Sequence, residues 1–338
     1  MKKAKFKILG LGLLMAMSAS PLIVTGAAAQ KLDKPVSLDF GSIFVGSTWY
    51  QYAAAMSEYM KPTLPAGSSI TVRPYAGAFG NIRLLEKNEK IQLGTTFSTA
   101  GTWATRGIVA FEGKKTGNLR ALTGALDQSY MAIMVTEKSG IGSLSQIREK
   151  KMKVHLVQLP PTGLAAYGTK VILEAHGITY DDIKSWGGSV NSVNIQAAGN
   201  AIKDGRADIW IHPVSKGHPK VTEVSETTEV RFLDVEKAAL SKLDAIGLPA
   251  ATMPANTFKH QPEPKNVVGL STIIVTGAAM SDELAYALTK AIAENADGLK
   301  KRMKGLSYFD PATTWKTTGG VPLHPGASRY YKEAGYMK

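Results

Sequence analysis

The stretch PVSLDFGSIFVGSTWYQYAAAMSEYM, residues 35–60, decides the fold. Its first six residues, 35–40, read as a buried strand. Trp49, Tyr52, Ala53, Met56 and Met60 then recur at helical spacing. Ser47 or Thr48 serves as the N-cap, and Pro62 stops the helix. Between strand and helix lies a turn with two glycines, several hydroxyls and large aromatics. That is more polar and aromatic chemistry than turning requires, and it suits a cradle for a small polar ligand.

The same alternation continues outward. Residues 69–75 (SITVRPY) form a second strand, 80–89 (GNIRLLEKNE) a short helix and 91–97 (IQLGTTF) a third strand, and STAGTWATRG opens another helix. Strands follow at 118–126 and 130–137. The segment SGIGSLSQIREKK gives a turn and a short amphipathic helix, which feeds a strand at 153–159. A helix from about Leu164 to Ala175 ends at Gly177, placed as a C-cap. Residues 207–213 and 230–235 are strand-like, and 267–277 (VVGLSTIIVTG) reads as one strand. Ser281 caps a long helix with Asp282 and Glu283 in its first turn, where they suit the helix dipole. Such alternation means an α/β protein with mostly parallel sheets. Hinge-like stretches near 127–140 and 236–266 divide the chain into a discontinuous lobe, 30–136 with 236–338, and a middle lobe, 137–235.

Bulk properties narrow the class. Residues 1–29 carry Lys2, Lys3, Lys5 and Lys7, then an apolar stretch, then Ala27-Ala28-Ala29, the pattern of a cleaved secretory leader. Removing four lysines and no acid lowers the net charge from +13 to +9. The chain has no cysteine, which excludes a disulfide framework, a cysteine zinc site and an N-terminal lipid anchor on cysteine. The expectation is an exported, periplasmic, unanchored protein of two ordinary domains. Its basic residues are spread out and not interleaved with aromatics, so nucleic-acid binding is not expected.

Catalytic signatures are missing. There is no GxSxG elbow, no serine with a lysine three residues on, no HExxH and no phosphate-cradling GxxxxGK[ST]. His212 and His218 are six apart, not the four of helical metal ligands. We expect no catalytic residue, no metal and no cofactor. Four loops that follow strands do stand out: GSIFVGSTWY (41–50), AGAFGN (76–81), GTTFSTAG (94–101) and PPTG (160–163). In an open α/β sheet such loops converge on one crevice. Helix N-termini there offer free N–H groups to a carboxylate or phosphate. Trp49, Tyr50 and Phe97 would supply apolar walls.

Five stretches in order resemble the TAXI family of solute receptors, the extracytoplasmic subunits of TRAP-type transporters. They are GSTWYQYAAAMSEYM (46–60), GAFGNIRLLEKNEKIQLGTTFS (77–98), AIKDGRADIWIHPVSKGHPKVTEV (201–224), LAYALTKAIAENADGL (284–299) and VPLHPGASRYYKEAG (321–335). The resemblance implies a two-lobed, type II periplasmic binding-protein fold that closes on a solute. It implies a membrane permease of large and small subunits as partner, and uptake driven by an ion gradient. It also implies small organic anions as ligands: amino acids, dicarboxylates or 2-oxo acids. Ser47, Gln51 and Ala53 stand where the family often has Gly, Pro and Gly, and Pro160-Pro161-Thr162 replaces a Gly/Ser-rich turn.

Ser47 and Thr48 would then hold an anionic end, unless they merely cap. One of Trp49 and Tyr50 would wall the cleft. Gly77 would let backbone approach, and Asn81 would donate its amide or cap its helix. Thr95, Thr96 and Phe97 lie just past a strand end. Pro161, Thr162 and Gly163 would be the facing contacts from the middle lobe, with Asn191 and Ser192 behind them. His212 fits a structural turn as well as a site. The protein is expected to act as a monomer. A receptor for an ABC permease or a sensor kinase, or a secreted enzyme on the same scaffold, remains an alternative.

Overall fold

The computed structural model describes residues 1, 32–75 and 77–338. The leader, residues 1–29, lies outside the described residues apart from Met1. Leu32–Lys338 form one unit, and no helix among the described residues is long and apolar enough to cross a membrane.

The chain starts with three strand–helix steps: β1 (Ser37–Gly41), α1 (Thr48–Met60), β2 (Ser69–Arg73), α2 (Gly77–Glu86), β3 (Leu93–Phe97) and α3 (Ser98–Arg106), then β4 (Leu119–Thr123). A long middle section follows: β5 (Ser129–Thr136), α4 (Leu144–Glu149), β6 (His155–Gln158), α5 (Leu164–Ala175), α6 (Tyr180–Ser185), β7 (Ser189–Ser192) and α7 (Ile195–Lys203). It continues through β8 (Ile209–Val214), α8 (Pro219–Thr227), β9 (Val230–Leu233), α9 (Lys237–Ala245), β10 (Ala250–Met253) and β11 (Lys265–Leu270). The chain then returns through β12 (Thr272–Gly277) to α10 (Asp282–Glu294), α11 (Ala296–Arg302), α12 (Pro311–Thr314) and α13 (Pro325–Glu333).

Two sheets result. The first has the order β2–β1–β3–β12–β4, and the second β10–β11–β5–β8–β6–β7, with β9 also beside β5. The α/β architecture is as expected, but the sheets are mixed rather than mostly parallel. Four of the described strand pairings are parallel and six antiparallel. The reason is the return strand. β12 runs into the first sheet between β3 and β4 and opposes both. β5, buried along its whole length, opposes β8, β9 and β11. The single strand expected at 267–277 is two. Leu270 pairs with Ser129 in the second sheet, while Thr272 pairs with Phe97 in the first. The chain thus crosses between sheets at Ser271, and it crosses at 124–128 on the outward path.

Local chemistry explains the elements. Ser47, Ser143, Asn194 and Ser281 each accept a backbone N–H at a helix start, as N-cap side chains do. Thr179 and Asp182 form a reciprocal capping box on α6. The apolar stripe of α1 is buried as its spacing predicts: Tyr52, Met56 and Met60 have no exposed surface. Met56 and Met60 each contribute about 1.5–3 kcal/mol by leaving water. The tail motif is an anchor. His324 caps α13 and donates from Nε2 to the Met280 carbonyl at 2.9 Å. The Tyr331 hydroxyl donates to Leu122 O at 3.1 Å. Leu323 bridges Ala121 on β4.

Candidate functional site

The carboxyl ends of β1, β3 and β6 carry the polar loops. In the first loop Phe44 and Val45 are 58% and 67% exposed. The Ser47 hydroxyl is committed locally, accepting from Tyr50 N at 3.2 Å. Gln51 closes the same loop by donating to Gly46 O at 3.1 Å. Thr48 is exposed. Of the aromatic pair, Trp49 turns inward: its ring lies 4.5 Å from Phe97, and its Nε1 donates to Thr272 Oγ1 at 2.8 Å. Tyr50 stays half-buried.

Several polar residues singled out in the sequence are occupied by backbone. Asn81 sits inside α2, and its Nδ2 donates to Gly41 O at 3.1 Å and Thr95 O at 2.9 Å. Its amide hydrogens therefore clip the ends of β1 and β3 to α2. Thr95 Oγ1 reaches Gly41 O at 3.5 Å, and Thr96 Oγ1 donates to Ala78 O at 3.3 Å. Gly77 opens α2 with φ of +72°, a left-handed backbone that favours glycine, and the Ile43 side chain packs over it. Phe97 ends β3 half-buried.

Across the divide, Pro160, Pro161 and Thr162 are exposed, and Gly163 is the N-cap of α5. No side chain caps that helix, so no capping side chain offsets the partial positive charge of its first-turn N–H groups. A methyl at Gly163 would meet no atom within 4 Å. Tyr167 in the second turn of α5 meets Phe79 of α2 edge-on, with ring centroids 5.5 Å apart. Phe79 also touches Trp103 and Phe111. This cluster brings the starts of α2 and α5, which follow strands of different sheets, to one place.

Asn191 and Ser192 lie exposed on β7, which pairs only with β6. Asn191 donates to Ser189 Oγ, and Ser192 Oγ accepts from Gln158. His212 is buried on β8, stacked on Trp210 at 4.8 Å, with the His218 ring edge-on at 5.2 Å. Burial, with His218 beside it, holds His212 neutral, well below the usual imidazole range. His218, capping α8, is pushed down to about 4 by burial. His212 Nδ1 and Trp210 Nε1 are buried without hydrogen-bond partners among the described residues.

Three features were not foreseen. Asp127 and Thr272 tie the two crossing segments together. α3 donates from Thr99 Oγ1, Trp103 Nε1 and Arg106 to the carbonyls of Gly247, Ile246 and Ala245 at the end of α9, at 2.9, 2.7 and 2.8 Å. Phe79 and Tyr167 meet across the divide. All three join residues far apart in the chain, and no local pattern announces them. A cavity of about 280 Å³ beside β9 is lined by Arg231, His260 and Lys265. Acids sit beside these side chains: Glu137 by Arg231, Asp234 by Lys265 at 3.6 Å and Glu229 by His260 at 3.8 Å.

The NMT1-like family profile matches residues 41–335, and the chain belongs to that family. Among solved structures, the periplasmic binding protein BugD superposes with a TM-score of 0.51 at 14% identity, over 90% of this chain and 98% of that one. MatC from Rhodopseudomonas palustris with bound malate gives 0.51 at 12% identity, over 90% and 98%. Another R. palustris protein, solved with adipate, gives 0.52 at 11% identity, over 89% and 96%. These likenesses show the fold, that of periplasmic binding proteins.

Proposed function

We propose that this member of the NMT1-like family is an exported, periplasmic receptor that captures a small organic anion between its two sheets. The observation that carries the proposal is the Phe79–Tyr167 contact. It gathers the N-terminal turns of α2 and the uncapped α5 where the exposed Thr48 and Thr162 and the half-buried Gly163 can join them. Converging helix N-termini favour a carboxylate through oriented N–H groups and dipoles. The half-buried Tyr50 and Phe97 supply apolar walls for the rest of the solute, with the inward Trp49 packed behind Phe97. Malate and adipate in the structures of the same fold support a small acid. The resemblance to TAXI receptors supports delivery to a TRAP-type permease. No step in this role needs a catalytic residue, metal or cofactor.

The lobes are the two sheets with their helices. The expected middle lobe, 137–235, is therefore extended to about 129–270, since β5, β10 and β11 pair into its sheet, and the other lobe is taken as 32–123 with 272–338. Closure about the crossings at 124–128 and Ser271 would bury the solute, with affinity set by contacts made only in the closed form. A thermal-shift screen over amino acids, dicarboxylates, 2-oxo acids and aromatic acids tests this. A solute at 100 times its dissociation constant stabilises by about 2.7 kcal/mol. Absence of any shift across the panel would refute the proposal.

A further inference from the structure

Asp127 joins the two segments that carry the chain between sheets. Its Oδ1 accepts from the Thr272 backbone N at 2.7 Å, and its Oδ2 from Thr272 Oγ1 at 2.9 Å. Leu126 N donates to Thr272 O at 3.0 Å. Thr272 Oγ1 in turn accepts from Trp49 Nε1 at 2.8 Å. A hydroxyl has one proton and two lone pairs. While Oδ2 accepts that proton, the hydroxyl oxygen is free to take the indole N–H. Carboxyl, hydroxyl and indole thus form a chain from the crossing segments to the first turn of α1.

We infer that Asp127 is a positioning residue of the solute site: through the Thr272 hydroxyl it sets the ring of Trp49, which packs behind the half-buried Phe97 beside the first polar loop. The part of this that concerns the solute rests on the site proposed above; the coupling of Asp127 to Trp49 does not.

The chain of bonds depends on a proton. Tyr52 from α1 is the titratable group facing Asp127, and Thr272 from β12 is its other polar neighbour. No lysine, arginine or histidine among the described residues pairs with it. Burial pushes the Asp127 carboxyl up to about 6, against the downward pull of the Thr272 donors. Burial and the nearby Asp127 carboxylate push the Tyr52 phenol up as well, so it stays neutral. A proton placed on Oδ2 toward Thr272 reverses that hydrogen bond. The Thr272 proton must then turn away, and the acceptor for Trp49 is disturbed.

The test reads Trp49 directly, without solute. In protein labelled with ¹⁵N at its five tryptophans, Trp49→Phe identifies the Trp49 indole N–H signal. That signal is expected to shift with a midpoint near pH 6. The shift is expected to vanish in Asp127→Asn and Thr272→Val and to persist in Thr272→Ser. If Asp127→Asn does not fold, the Thr272→Val and Thr272→Ser pair carries the test. A Trp49 signal constant from about pH 4.5 to 8, or one titrating unchanged in Thr272→Val, overturns the inference. Affinity for the strongest solute of the acid panel is then measured at both ends of that range. At least a threefold change in the wild type, absent in Thr272→Val, supports the role at the site. Equal affinities beside a titrating indole overturn that role and leave the coupling standing. An indole that titrates in a protein that binds no acid refutes the receptor proposal instead.

Discussion

Replacing Asn81 by alanine separates a structural clip from a solute contact. Asn81 is fully buried, and its Nδ2 donates to Gly41 O at 3.1 Å and Thr95 O at 2.9 Å. The substitution removes two hydrogen bonds inside the protein, each worth roughly 1 kcal/mol net. It also leaves a small void where the carboxamide stood. The total is at most roughly 3 kcal/mol, since the buried Oδ1, which has no hydrogen-bond partner among the described residues, is removed as well. At ~2–4 °C per kcal/mol, Tm falls by at most roughly 6–12 °C. Asn81→Asp keeps the shape but presents a second oxygen to the same two carbonyls, and it should lose at least as much. Calorimetric melts of both variants, each beside the wild type, give the answer. Because both amide hydrogens are spent on backbone, solute affinity measured well below Tm should change by less than about threefold, under 1 kcal/mol. An Asn81→Ala protein that melts within about 1 °C of wild type but loses binding more than a hundredfold would refute the reasoning.

Trp103→Phe removes the indole donor to Ile246 O at 2.7 Å while keeping an aromatic ring beside Phe79. It should lower unfolding free energy by about 1–2 kcal/mol in a urea titration, with an unchanged slope. His218 provides a pH signature. Its folded-state value is pushed from 6.5 to about 4. The unfolded chain therefore takes the proton first as pH falls. Stability that is intact above about pH 6.5 is lost progressively toward pH 4, by on the order of 3 kcal/mol. His218→Asn keeps a capping side chain and should shrink the loss between pH 7 and 4.5 by about 2 kcal/mol in chemical denaturation. An equal loss in both proteins would contradict this assignment.

Much of the fold was legible where the pattern is local. The 35–60 stretch gives its strand, cap and buried stripe because Trp49, Tyr52, Ala53, Met56 and Met60 follow the helical period and Ser47 is a capping residue. Ser281 with its acidic first turn is legible for the same reason. The break in 267–277 was not, since Ser271 is neither glycine nor proline and the change of sheet is decided by distant partners, Ser129 and Phe97. The four-residue edge strands β7 and β10 are too short to show a period. Hydroxyl-rich loops announced a polar cradle, but type alone does not say where a hydroxyl bonds. Ser47 caps its own helix, and Thr96 holds Ala78 O. Asp127 reads as a turn residue in DQS. Its buried grip on Thr272 spans 145 residues and exists only after both sheets form. The tail motif was legible as a signature, while its work as an anchor on β4 needed the structure.

The central claim, a solute held between the two sheets, is tested most directly at Gly163. Its backbone is extended, with φ of −142°, and a Cβ there would meet no atom within 4 Å. Gly163→Leu should therefore leave the fold intact, with Tm within about 4 °C of wild type, the loss coming from leucine's poorer N-capping. The new side chain fills the space in front of the α5 N-terminus. Calorimetric titration of wild type and variant with the most stabilising acid of the panel is the measurement. At least a tenfold weaker affinity is expected in the variant. Equal affinity in a Gly163→Leu protein of unchanged Tm would contradict it.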